Sequence, residues 1–158
     1  MSELDNHLKE NNFDHILIAI GTIMPPDIVR KYKIINSHPG YLPYVKGLDS
    51  LKWAIYKKLP IGVTTHFISE QTDEGILIEK KLLPVYSEDS FHAVAFRQYE
   101  MEVEMLVNSI EIVKKPFESV LLEDKQYLST RRMPHRLEFE MMEIAQNLIE
   151  NSPAFNEV

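Results

Sequence analysis

A chain of 158 residues, 44% hydrophobic and 26% charged, has the size and composition of one globular domain with its own core. Its net charge of −7 argues against broad nucleic-acid binding, which needs a basic face. The absence of cysteine excludes a disulfide framework, a thiolate nucleophile and a cysteine metal site, and no uninterrupted apolar run is long enough to cross a bilayer.

The predicted elements alternate between helix and strand. Leu4 to Asn11 reads as a helix. Ile16-Leu17-Ile18-Ala19-Ile20, an apolar run ended by Gly21, fits a buried parallel strand. Pro25-Pro26-Asp27 opens a short helix through Tyr32, since proline is tolerated in a first turn. Lys33 to Asn36 is the next strand. Asp49 or Ser50 caps a helix running to about Lys57, with Leu51, Ala54 and Ile55 inward. Ile61 to Ile68, rich in β-branched residues, is a strand, and Ile76 to Val85 a strand or bent hairpin arm.

Ser87-Glu88-Asp89-Ser90 starts a long amphipathic helix. Phe91, Ala95, Tyr99, Val103, Leu106, Ile110 and Val113 form its expected inner stripe, with Met101 and Met105 off it. Glu102 and Glu104 read as solvated. Residues 117 to 136 are polar and predicted as a connecting arm. A last helix runs from Pro134 to about Ile149 with Leu137, Met141, Ile144 and Leu148 on one face. The expected division is 1–115 as a catalytic region and 116–158 as a C-terminal arm and helix.

Chemistry concentrates at Asn36-Ser37-His38-Pro39 and at Asp73-Glu74-Gly75. Asn36 and His38 are two apart in an extended segment, so both point to one side. Pro39 ends the strand. A carboxamide able to donate to an oxyanion, an imidazole and an orienting carboxylate suit acyl transfer to nitrogen. The same Asn-x-His-Pro-Gly also reads as a strand-terminating turn. The five glycines contain no Gly-x-Gly cluster, so no glycine-rich phosphate loop of the dinucleotide or P-loop kind is expected. The six histidines show no metal-binding spacing; His66 is expected to satisfy a structural hydrogen bond. Arg131, Arg132 and Arg136 form a local basic patch or a solvated helix start.

Residues 16 to 113 resemble the folate-dependent formyltransferases that act on glycinamide ribonucleotide, methionyl-tRNA or amino sugars, and formyltetrahydrofolate hydrolase. The resemblance rests on Asn36, His38, Leu42, Pro43 and Gly47 in the register Asn-x-His-x-x-x-Leu-Pro-x-x-x-Gly. It continues in Thr64-Thr65-His66-Phe67 and the loop Asp73-Glu74-Gly75. Ser69, Ile76 and Gly40-Tyr41 depart from the family's common residues at pocket-lining positions. Tyr127 to Pro134 resembles the Tyr-x-x-x-Arg-Arg-x-Pro segment that follows the catalytic domain in amino-sugar formyltransferases.

The resemblance implies an α/β fold: a partial Rossmann-like, mostly parallel sheet of the formyltransferase type with a C-terminal helical extension. It implies 10-formyltetrahydrofolate as formyl donor and a small-molecule amine as acceptor, with Asn36, His38 and Asp73 catalytic. The folate would lie against Ile23, Met24, Glu70, Gln71 and Gly75, the stretch Ala19 to Pro25 lining the pterin pocket. Family domains begin with further strands ahead of this start, so a short N-terminus is expected to leave part of the sheet out. No separate C-terminal barrel is expected, which counts against a tRNA acceptor. A hydrolase using water, a non-catalytic binding module, a homo-oligomer covering the sheet edge, and an excised piece of a larger enzyme all stay open. The N-terminal residues lack the basic start and apolar core of a signal peptide, and a cytoplasmic setting is expected.

Overall fold

A computed structural model describes residues 3–11, 13–19, 23–122 and 126–155. The elements are α1 (Glu3–Glu10), β1 (Ile16–Ile18), α2 (Pro26–Val29), β2 (Ile34–His38), α3 (Ser50–Tyr56), β3 (Gly62–Ile68), β4 (Gly75–Leu82), α4 (Phe91–Val113), β5 (Val120–Leu122) and α5 (His135–Glu150). The strands form one sheet in the order β1-β2-β3-β4-β5. Ile20, Gly21 and Thr22, part of the expected strand end and pterin-pocket stretch, lie outside the described residues.

The α/β class and the helical C-terminal extension hold, but the sheet is mixed rather than mostly parallel among the described residues. Only β1 and β2 pair parallel; β2–β3, β3–β4 and β4–β5 are antiparallel. Parallel pairing needs a long crossover, whereas antiparallel neighbours can join by a short loop. The link between β3 and β4 is the tight loop carrying Asp73, which turns the chain straight back. The run in β1 is less buried than its apolar letters suggest, with Leu17 exposed.

Two apolar clusters hold the elements together. Leu51 and Ile55 of α3, Leu83, Val94 of α4, Met133, and Met141, Ala145 and Ile149 of α5 form the larger. Leu8, Ile28 and Ile34 form the smaller, joining α1 and α2 to β2, with Met24 packed against it. The carboxylate of Asp5 fixes α1, accepting from Lys31 Nζ at 3.0 Å and Tyr32 Oη at 3.3 Å. Leu148, expected on the inner face of α5, is exposed, and Ala145 and Ile149 take its place.

Helix α4 starts as the sequence indicates, with Ser90 Oγ accepting from the Ala93 amide at 3.1 Å. Its inner face is not the expected stripe. Val94, Gln98, Met105 and Ser109 are buried together with Leu106, while Tyr99 and Val103 are exposed. The buried side is rotated by about a quarter turn from the hydropathy stripe at ~100° per residue. Two polar residues belong to it, and they break the apolar period on which the expectation rested. Glu102 is likewise half-buried rather than solvated, and burial pushes its carboxyl up to about 7.

Asp49 does not cap α3 with its side chain; it stands in the left-handed region at φ 53°. Its carboxylate instead accepts from the Met133 amide at 2.8 Å. The predicted arm also carries structure: β5 extends the sheet beside β4, and Thr130 forms an isolated parallel bridge with Gly47. Among the described residues no helix is long and apolar enough to cross a membrane.

Candidate active site

Register determines which side chains share a face. Asn36 pairs with His66 and His38 with Thr64 across β2–β3, so these four lie on one side of the sheet, while Ser37 and Thr65 lie on the other. The hydroxyls of Ser37 and Thr65 bond each other at 3.0 Å, satisfying two buried polar groups. Thr64 Oγ1 donates to Gly40 O at 2.8 Å and accepts from the Leu42 amide at 3.0 Å. It thereby holds the loop after β2, which includes a cis Leu42–Pro43 bond, over the end of the strand.

His38 is buried, and both of its nitrogens have neighbours. Nε2 lies 2.9 Å from Val45 O and 3.3 Å from Ser50 Oγ. The Ser50 hydroxyl donates to Gly47 O at 3.0 Å. Nδ1 lies 3.4 Å from Asp73 Oδ1, a close charge contact rather than a tight hydrogen bond. Val45 O can only accept, so Nε2 carries hydrogen and Nδ1 is the nitrogen left to work. Gly40 makes room for this ring: a Cβ there would meet His38 Nε2 and Val45 O, both at 2.6 Å.

Asp73 sits at φ 54°, a left-handed conformation that Asp tolerates better than most residues. Its Oδ2 accepts from the Gly47 amide, which leaves Oδ1 toward His38. Beside it Lys46, almost wholly buried, pairs with Glu74 at 2.8 Å. The structure thus brings His38 and Asp73 together, with Asn36 half-exposed on the same face.

His66 is buried, with Nδ1 3.3 Å from Phe67 O. That bond answers the structural expectation for one nitrogen only, since the buried Nε2 has no hydrogen-bond partner. Burial, helped by the neighbouring charge of His38, pushes the imidazole down to about 4. It is neutral at neutral pH.

Ser69, Glu70, Gln71, Glu74, Gly75 and Leu121 line a cleft of about 320 Å³ along the loop that carries Asp73. Glu70, Gln71 and Gly75 of the expected folate set are therefore gathered in one place. The Glu70 carboxylate is also engaged by Arg30, through Nε at 2.6 Å and Nη2 at 2.9 Å, which ties the loop to the end of α2. Ile23 and Met24 do not line this cleft: Ile23 is exposed and Met24 packs on the smaller core cluster. Trp53 points to the arm, donating from Nε1 to Arg131 O at 2.7 Å. Arg131, Arg132 and Arg136 are exposed.

Sequence reasoning missed Ser50, Thr64 and Thr130 as supports of the site. Most of their bonds run to groups far along the chain, and the one local bond, Ser50 Oγ to Gly47 O, is to a backbone carbonyl that any residue supplies. Gly40 and Gly47 were visible as motif letters, but the close approaches that require them were not.

The chain is similar to proteins of known kind. The sequence profile described as Formyl transferase matches residues 1–110, and the chain belongs to the formyl transferase family. It is 32% identical over 100 residues to the methionyl-tRNA formyltransferase of Pelotomaculum thermopropionicum, covering 61% of this chain and 32% of that protein. It is 31% identical over 106 residues to the phosphoribosylglycinamide formyltransferase of Haemophilus influenzae, covering 65% and 50%. The chain therefore spans about a third and a half of these two relatives' lengths, respectively.

Among solved structures it is similar to the formyltransferase PseJ from Anoxybacillus kamchatkensis, with TM-score 0.64, 27% identity and coverage of 76% of this chain and 65% of that one. PseJ was solved with UDP-4,6-dideoxy-4-formamido-L-AltNAc and tetrahydrofolate. The fold also matches a sugar N-formyltransferase from a Shewanella species, with TM-score 0.69 at 24% identity over 98% of this chain and 67% of that one.

Proposed function

We propose that this chain carries the catalytic centre of a formyltransferase that moves a formyl group from 10-formyltetrahydrofolate to the amine of a small acceptor. The observation that carries the reading is His38 Nδ1 facing Asp73 Oδ1 at 3.4 Å, beside Asn36 on the same sheet face. The cleft lined by Ser69, Glu70, Gln71 and Glu74 with Gly75 and Leu121 offers hydroxyl, carboxylate and carboxamide groups to the hydrogen-bonding edge of a heterocycle. Its volume lies at the lower end of the ~300–1,000 Å³ common for ligand sites.

The bound donor supplies a formyl carbon, to which the acceptor nitrogen bonds as the bond to the folate nitrogen breaks. Asn36 donates a hydrogen bond to the formyl oxygen as it gains negative charge. His38 Nδ1 serves as the second donor and passes its proton toward the departing nitrogen, while Nε2–H stays on Val45 O and keeps the ring oriented. Asp73 Oδ1 stabilises the charged ring and accepts, through water, the proton shed by the amine. Glu70, Gln71 and Gly75 hold the heterocycle.

A nucleotide-linked amino sugar is the preferred acceptor, ahead of glycinamide ribonucleotide. The likeness to PseJ, solved with a formylated UDP-sugar, and the Tyr127–Pro134 segment support that order. The reaction belongs in the cytoplasm, where no membrane or nucleic-acid partner is required. The test is tetrahydrofolate release from 10-formyltetrahydrofolate with and without a panel of amine acceptors, beside Asp73→Asn. Acceptor-dependent release lost in Asp73→Asn supports the reading. Release without acceptor makes the chain a hydrolase, and no release from a folded chain contradicts it.

A further inference from the structure

Thr130 is the point at which the C-terminal arm grips the catalytic loop. Its amide donates to Lys46 O at 2.8 Å and its carbonyl accepts from the Leu48 amide at 2.9 Å. Its hydroxyl lies 2.7 Å from Lys46 O and 3.0 Å from Leu48 O, so one hydrogen is shared between the same two carbonyls. The residue between them is Gly47, at φ +90°. A Cβ there would sit 2.2 Å from Thr130 O and 2.6 Å from Thr130 N. With one side of Gly47 pressed against Thr130, its amide is turned outward onto Asp73 Oδ2. Two further bonds hold the arm in place: Met133 N to Asp49 Oδ2, and Trp53 Nε1 to Arg131 O.

We propose that Thr130, which lies beyond the family-matched segment, is a positioning residue for formyl transfer. By clamping Lys46 to Leu48 it holds the Gly47 amide on one oxygen of Asp73 and presents the other to His38. Asp73 Oδ2 takes this amide while Oδ1 faces His38; loss of the amide bond frees the carboxylate to rotate away from the imidazole. The role rests on the function proposed above, but the clamp itself can be read without turnover.

The experiment compares the full chain with Thr130→Val, which keeps the main-chain bonds and shape but removes the hydroxyl, and with Thr130→Ser, which restores it. Asp73→Asn serves as the reference for a weakened amide bond. The readouts are kcat and KM for donor and acceptor, and the Gly47 amide proton resonance. The Val variant should lose about tenfold in kcat, the equivalent of one hydrogen bond, with both KM values unchanged. Its Gly47 resonance should move in the direction seen in Asp73→Asn, and the Ser variant should recover both properties. A Val variant with an unmoved Gly47 resonance overturns the proposal, as does an equal loss in Ser and Val. If the unaltered chain releases no tetrahydrofolate, the function reading fails while the Gly47 resonance still decides the clamp.

Discussion

Gln98, on the buried side of α4, donates to the carbonyl of Pro39, the residue after His38, at 3.0 Å. The second hydrogen of the same amide goes to Gly62 O at 3.1 Å. One side chain thus pins the end of the catalytic strand and the start of its neighbour to the long helix. Gln98→Leu keeps the bulk but strands two carbonyls, at a cost of ~1–3 kcal/mol for each group left unsatisfied. Urea unfolding of this variant should show a lower midpoint with an unchanged slope. An unmoved midpoint would mean that the bonds contribute nothing net.

Gly40→Ala tests how tightly the imidazole is seated. The added carbon meets His38 Nε2 and Val45 O at 2.6 Å, so either the ring or the loop must move. A displacement of that order costs about a hundredfold in rate when geometry controls the reaction. The expected result is a folded protein with depressed kcat; wild-type turnover would show that Nε2 is not held as described.

Stability should vary with pH through two groups of opposite sign. His66 is held neutral, pushed down to about 4 by burial and by His38, whereas the unfolded ring takes up a proton near pH ~6.5. Its contribution is complete above ~6.5 and is lost as pH falls toward 4, because the unfolded chain then binds the extra proton. The ceiling is about 3 kcal/mol at ~1.4 kcal/mol per pH unit. His66→Asn should flatten that acid-side decline in unfolding free energy, and an unchanged slope would contradict the assignment.

Glu102 works the other way. Burial raises its carboxyl to about 7, so the folded state keeps a proton that the unfolded state releases near pH ~4.3. The contribution is present below that value and is lost as pH rises through 7. Glu102→Gln should therefore be more stable than the unaltered chain at pH 8 and indistinguishable from it at pH 4. Equal stability at both would show the carboxylate to be freely solvated.

The parts of the site written as adjacent letters were legible: Asn36 and His38 on one strand, and Asp73 in the loop beyond the next. Period-2 alternation places the first two on one face, and the loop between β3 and β4 carries the third to within 3.4 Å of the imidazole. The inner face of α4 was not legible, because Gln98 and Ser109 are buried for their hydrogen bonds while Tyr99 and Val103 face outward. Hydropathy cannot distinguish a polar residue that pairs with a strand-end carbonyl from one that meets water. Strand β5 was hidden because main-chain bonds carry it and almost any side chain permits such bonds; the Thr130 clamp was hidden because its hydroxyl meets carbonyls far along the chain.

The most direct test is the acceptor-dependent rate of tetrahydrofolate release by Asn36→Ala beside the unaltered chain, with matched circular dichroism to confirm equal folding. One oxyanion donor is worth ~2.7–4 kcal/mol, so the rate should fall by about a hundredfold or more. A near-normal rate in the folded variant would contradict the assignment of Asn36, and with it the proposed catalytic centre.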